Sequence, residues 1–159
     1  ADNMKLRNMK RGEDTEQIKV MRWAAGAECR YPELRWLYHV PNGGSRDSAE
    51  AIKLKNMGVK RGVSDLCLPF PHGRYHGLYI EMKYGRNRTT KEQAEFLRDM
   101  RDAGHCVAVC HDAQSAAGLI EQYVNLPENG LVSFSVLKEF SCFWNEDDIC
   151  HIKLPGPFA

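Results

Sequence analysis

Two carboxylates and a lysine define the chemistry open to this chain. Asp65 lies in Val63-Ser64-Asp65-Leu66-Cys67-Leu68, and Glu81 and Lys83 lie in Gly77-Leu78-Tyr79-Ile80-Glu81-Met82-Lys83. If the two segments form an antiparallel hairpin turning at Gly73, Leu66 faces Ile80 and Leu68 faces Leu78. These apolar pairs then share a face with Met82, as a half-buried sheet requires, and a one-residue slip would mix the faces. A two-residue slip stays open. The same register sets Asp65 opposite Glu81, with Lys83 two residues further along that face. Carboxylates directly across a strand pair repel each other. A divalent cation that prefers hard oxygen ligands, Mg²⁺ or Mn²⁺, removes the conflict. The plainer reading is an exposed face on which the charges splay into water and Lys83 neutralises one of them.

Stepping outward, the flanking helices carry polar residues near their apolar stripes. Glu16 sits on the rim of the stripe that holds Val20 and Trp23, Gln17 points into that stripe, and Gln93 lies in line with Leu97 and Met100. Polar groups on core-facing positions must be hydrogen-bonded or coordinate something. Capping and helix-dipole complementarity answer the same need, and Thr90-x-x-Gln93 is a good capping box.

The elements expected to position these residues alternate. Asp14 with Gln17 predicts a helix running to about Ala25, and residues 36–40 read as a strand ended by Pro41-Asn42-Gly43-Gly44. A basic helix from about Asp47 to Met57 is stopped by Gly58. After the hairpin come a helix from Thr90 to Gly104, a buried strand over 106–110, and a helix with the stripe Ala116, Leu119, Ile120 and Tyr123. The order α-β-α-β-β-α-β-α describes an α/β domain with a mixed sheet. Val132, Phe134 and Val136 alternate with serines and suggest one more strand; residues 137–159 carry no assignment.

Composition narrows the class. With 159 residues, 43% of them hydrophobic, the chain is one domain able to bury a core, and no apolar run approaches a membrane span. The charged N-terminus has no signal-peptide pattern, so an intracellular, cytoplasmic setting is expected. Six cysteines without a CxxC pair read as reduced thiols, and His72 and His76, in a Pro/Gly-flanked turn, as solvated loop residues. The net charge of +1 hides a division: residues 125–159 hold two basic and five acidic residues, a balance of −3, which leaves +4 for residues 1–124. Basic stretches run through Arg46, Lys53, Lys55, Lys60 and Arg61, and through Lys83, Arg86, Arg88, Lys91, Arg98 and Arg101. Charge runs alone mark only a solvated face; beside phosphate chemistry they suggest nucleic acid.

Taken together, these motifs resemble a known family. Asp65 followed by Glu81-Met82-Lys83 on the next strand is similar to the PD-(D/E)xK nuclease signature. The similarity extends to its VRR-NUC branch, of the stand-alone phage or bacterial type. It takes in Glu16-Gln17 with Trp23-Ala24, and His39-Val40-Pro41-Asn42-Gly43-Gly44-x-Arg46. It continues through Gly58-Val59-Lys60-Arg61-Gly62-Val63-x-Asp65, the Gly77 to Lys83 strand, Thr90-x-x-Gln93 and the Gly104 to Val109 stretch. Two positions depart: Ser64 stands where the family usually has proline, and Lys60 replaces the first arginine of Val-Arg-Arg, keeping charge but losing a bidentate donor.

The resemblance implies a restriction-endonuclease-like core over residues 1–124; residues 125–159, which it does not cover, are expected to be an extension of the same domain that forms an extra strand or a dimer contact. It implies Asp65 and Glu81 as ligands of Mg²⁺ or Mn²⁺, the Met82 carbonyl as a further ligand, and Glu16 completing the site directly or through water. Lys83 would orient the attacking water, and Gln93 would hold Lys83 or that water. Asn42, Gly43, Gly44, Arg46, Lys60, Arg61, Arg86 and Arg88 are the candidates for DNA backbone contacts, which read shape rather than base sequence. The expected function is a structure-selective endonuclease acting as a homodimer on branched DNA such as four-way junctions. A non-catalytic DNA-binding protein on the same fold, or a sequence-specific restriction-type nuclease, are the alternatives.

Overall fold

The computed structural model describes residues 12–42, 47–133, 141–142 and 149–153. Helix α1 spans Glu13–Ala27, followed by a 3₁₀ turn over Pro32–Trp36 and the short strand β1, Tyr38–His39. Helix α2 is Ser48–Asn56, β2 is Leu66–Leu68 and β3 is Leu78–Met82. Then come α3, Lys91–Asp102, β4, Cys106–Cys110, and α4, Ala113–Val124. Two further strands, β5 (Ser141–Cys142) and β6 (His151–Lys153), extend the sheet.

The sheet order is β1-β2-β3-β4-β6-β5. The β2–β3 hairpin is antiparallel with Leu66 opposite Ile80 and Leu68 opposite Leu78, the register the apolar pattern favours. The β3–β4 and β4–β6 pairs are parallel, and the outer pairs are antiparallel. The mixed α/β sheet expected from the sequence is therefore present.

One sheet face, with Leu66, Leu68, Leu78, Ile80, Met82 and Ala108, packs under α1 and α4. The other, with Tyr79, Val107 and Val109, packs under α3 through Leu97, Phe96 and Met100. This period-two division sends Glu81 away from the larger core.

Local chemistry explains the departures. The strand expected over 36–40 shrinks to two residues because Pro32 opens a 3₁₀ turn that consumes Trp36. Asp14 is not a cap: α1 begins at Glu13 with Gly12 at its N-cap and no side-chain bond. Its first turn instead carries three acids, Glu13, Asp14 and Glu16, which complement the helix dipole. In α2, Asp47 caps by accepting from Glu50 N–H at 2.7 Å, and Gly58 at φ +102° ends the element. The Thr90–Gln93 capping box forms as expected. Cys106 and Cys110 are buried free thiols, whereas Cys29 is a free thiol on the surface. His72 is not simply solvated, since its Nε2 lies 2.9 Å from Glu33 and its ring packs edge-on against Tyr123. Val132 is buried in the core, while Phe134 and Val136 lie outside the described residues.

Candidate active site

Asp65 stands one residue before β2, opposite the end of β3. Its position is fixed from both sides. The Asp65 carbonyl accepts from Val40 N–H at 2.9 Å and lies 2.8 Å from His39 Nδ1. Its side-chain Oδ2 accepts from Met82 N–H at 2.8 Å. Asn42 donates from Nδ2 to the Val63 carbonyl at 3.1 Å, tying the end of the first strand region to the loop that delivers Asp65. Ser64, where the family usually has proline, is fully buried, so the substitution is accommodated within the core.

Glu81 is 2% exposed and Lys83 is 7% exposed, with Lys83 Nζ 3.9 Å from Glu81 Oε1. Glu81 Oε2 is buried without a hydrogen-bond partner. Burial, and next the Asp65 charge, push the Glu81 pKa up to about 9; Lys83 opposes the rise, while a hydrogen bond with Asp65 and the charge of Glu13 add to it. A buried carboxylate beside a second one, with an oxygen left unsatisfied, is an arrangement that loses free energy unless a proton or a cation enters it. The donor set, two carboxylates with backbone oxygen nearby, suits a hard divalent cation. Among the described residues, however, no three His, Cys, Asp or Glu side chains gather closely enough to hold an ion by themselves.

Glu16 is bonded across to the start of α4. It is 5% exposed, more buried than Gln17, because it lies one turn before Val20 on the core-facing line of α1. Its Oε1 accepts from the Ala113 N–H at 3.5 Å, at the N-terminus of α4, and its Oε2 lies 3.0 Å from Lys19 Nζ. Its carboxylate thus answers a helix dipole. The acid on α1 whose charge reaches Glu81 is Glu13. A signal for it exists in the sequence: Glu13, Gln17, Val20 and Ala24 follow the i, i+4, i+7 spacing of a single face.

Gln93 uses its side-chain Oε1 to accept from Thr90 N–H at 2.8 Å, which leaves one lone pair of that oxygen and the amide nitrogen for other work. Lys60 and Arg61 are exposed on the loop before Asp65, and Arg86 and Arg88 are exposed on the loop after Lys83. The two loops leave neighbouring strand ends, which brings both basic pairs to the carboxylate end of the hairpin. The first loop is seated by Gly62 (φ +84°), where a Cβ would run into the backbone carbonyl of Glu92 on α3. Gly43, Gly44 and Arg46 lie outside the described residues.

The description of the VRR-NUC domain matches residues 11–114 of the chain. The chain belongs to the VRR-NUC family. A solved structure titled "VRR_NUC domain protein" is 31% identical, with a TM-score of 0.65, and the match covers 76% of this chain and 93% of that one. No curated protein matches the chain. The VRR-NUC domain is a nuclease-type domain that acts on DNA, and nucleases of this family generally use divalent metals. Among the described residues no helix is long and apolar enough to cross a membrane.

Proposed function

We propose that this VRR-NUC domain is a Mg²⁺- or Mn²⁺-dependent, structure-selective DNA endonuclease that acts as a homodimer on branched DNA such as four-way junctions. The observation that carries the reading is the buried Glu81 carboxyl facing Asp65 beside Lys83, with Glu81 Oε2 left without a partner. Asp65, Glu81 and the Met82 carbonyl would hold the cation, with Glu16 or Glu13 of α1 reaching it through water. When bound, such a cation lowers the pKa of a water and neutralises charge that develops on the phosphate.

The chain's own residues do the rest. Asp65 is held by Val40, His39 and Met82, so its carboxylate is presented with little reorganisation. Lys83, buried on the same face as Glu81, supplies a fixed positive charge to orient the attacking water and offset charge at phosphorus. Gln93 would steady Lys83 through the remaining lone pair of its Oε1, or that water through its Nε2 amide. Asn42, Lys60, Arg61, Arg86 and Arg88, with Gly43, Gly44 and Arg46 of the stretch that follows Asn42, would grip the backbone by charge and shape.

The experiment is cleavage of labelled four-way-junction, flap and linear duplex DNA with Mg²⁺, Mn²⁺ or EDTA. Metal-dependent cutting of branched substrates alone is expected. Binding without cutting favours a non-catalytic DNA-binding protein, and fixed cuts in linear duplex favour a restriction-type enzyme.

A further inference from the structure

Two buried histidines take no part in the chemistry above. His111 directly follows β4 and His151 opens β6; they are 1% and 2% exposed. His111 Nε2 lies 2.9 Å from His151 Nδ1, and on its other side His111 Nδ1 lies 2.7 Å from the Gly85 carbonyl. A carbonyl can only accept, so the His111 proton sits on Nδ1. In the neutral ring Nε2 is then an acceptor for the Nδ1–H of His151. Burial, with the nearby His151, Lys153 and Lys83 adding to it, lowers the His111 pKa to about 4 against the opposing bond to Gly85 and keeps the ring neutral. The backbone repeats the connection, with His111 N–H donating to Ile152 at 2.8 Å and Lys83 N–H to Cys110 at 2.9 Å.

An apolar side chain could fill this volume but could not hold a carbonyl. Gly85 is the second residue after Lys83 and the residue before Arg86. It turns at φ +60° with open space where a Cβ would be, so the glycine serves the turn and not a tight contact. The loop it begins is exposed at Arg86, Asn87 and Arg88. The histidine pair is therefore a rigid link from the sheet interior to the one loop that joins Lys83 to two basic residues.

We infer that His111, backed by His151, is a positioning residue that latches the Gly85 carbonyl and so presents Arg86 and Arg88 to the DNA backbone beside Lys83. This inference rests on the nuclease reading of the site, and the test separates the two. Branched-DNA binding is measured by fluorescence anisotropy at several salt concentrations, with Asp65→Asn throughout to prevent cleavage. Arg86→Ala with Arg88→Ala should weaken binding about tenfold and flatten the salt dependence by about 0.9 per lost phosphate contact. His111→Phe, which keeps the ring volume without the bond, should do the same. Adding the arginine changes to His111→Phe should then cost little more. His111→Asn, whose amide can donate to Gly85, should restore most of the affinity. If His111→Phe fails to fold, His151→Leu, which removes the support behind His111, takes its place with the same expected direction. Should the arginine changes weaken binding while the folded histidine variants bind like the parent, the latch is wrong and the nuclease reading stands. A folded His111→Asn that is as weak as His111→Phe also overturns the latch. If the arginine changes leave binding untouched, the DNA role of this loop fails and the latch with it.

Discussion

The Asp65 carboxylate accepts the Met82 backbone N–H at 2.8 Å, so the residue opposite Glu81 is bonded to the residue that follows Glu81. The two acids are therefore unequal. Asp65 is partly satisfied by the strand it faces, whereas Glu81 is buried with one oxygen unpaired. That asymmetry separates what each contributes to stability and to catalysis.

Asp65→Ala and Glu81→Ala should each reduce metal-dependent cleavage by a factor on the order of 100 or more, as loss of a group that organises charge stabilisation does. Their stabilities should diverge. Asp65→Ala strands the Met82 N–H and should cost about 1–3 kcal/mol, the range for a lost bond to a charged acceptor. Glu81→Gln removes the cost of keeping a proton on the buried Glu81 carboxyl above its ordinary pKa and should leave the metal-free protein as stable or more so. Urea unfolding of both variants in EDTA, alongside cleavage assays, checks this. Wild-type cleavage by Asp65→Ala would remove it from the site.

The raised Glu81 pKa makes stability depend on pH. In the unfolded chain Glu81 returns to 4.5, against about 9 in the fold. The folded state binds the extra proton, so the stabilisation is complete below about pH 4.5 and is lost as pH rises towards 9. In EDTA, the Tm of the wild type should fall relative to that of Glu81→Gln between these limits. Parallel curves would show that Glu81 is not protonated in the metal-free fold.

A cation that binds only the folded state should reverse that loss. At a concentration 100 times its Kd, Mg²⁺ or Mn²⁺ should add about 2.7 kcal/mol. At a fixed metal concentration the gain should be larger at pH 8 than at pH 6, because the Glu81 proton, held until about pH 9, competes less strongly with the cation at the higher pH. Thermal unfolding with and without the metal, in wild type and Glu81→Gln, measures it; an equal shift in both proteins would place the ion elsewhere.

Gly62→Ala tests how the Lys60–Arg61 loop is seated. At φ +84° a side chain is strained, and its Cβ would meet the backbone of Glu92, which cannot swing aside as a side chain would. A destabilisation of about 2 kcal/mol or more is expected, from backbone strain and overpacking together. DNA binding should weaken as well. A neutral Gly62→Ala would mean that this loop is not docked on α3.

A homodimer supplies the two symmetric sites that paired cuts across a four-way junction need. Sedimentation at micromolar concentration should show a dimer, with and without junction DNA. In the 125–159 extension, whose apolar residues either cover the sheet or form such a contact, Leu131 is 57% exposed and Val132 is buried in the core. Phe134, Val136, Phe140, Phe143 and Trp144 lie outside the described residues. A monomer under both conditions would leave flap cutting or nicking as the better description.

The sequence by itself narrowed the hairpin register to pairings that differ by two residues, because in period-two alternation of Leu66, Leu68, Leu78, Ile80 and Met82 a one-residue slip would expose apolar surface, and the fold then selects Leu66 opposite Ile80. It also determined the Thr90–Gln93 box and the α4 stripe, since both depend on spacing within a few residues. Tertiary structure decided what local spacing cannot carry. Glu16 and Glu13 are alike in type and one turn apart, but packing against α4 turned Glu16 towards Ala113, while the charge of Glu13 reaches Glu81. His111 and His151 are 40 positions apart, and only the parallel pairing of β4 with β6 makes them neighbours. Which polar groups share a buried space depends on how sheet and helices close over it, and that closure is set by contacts distant in the chain.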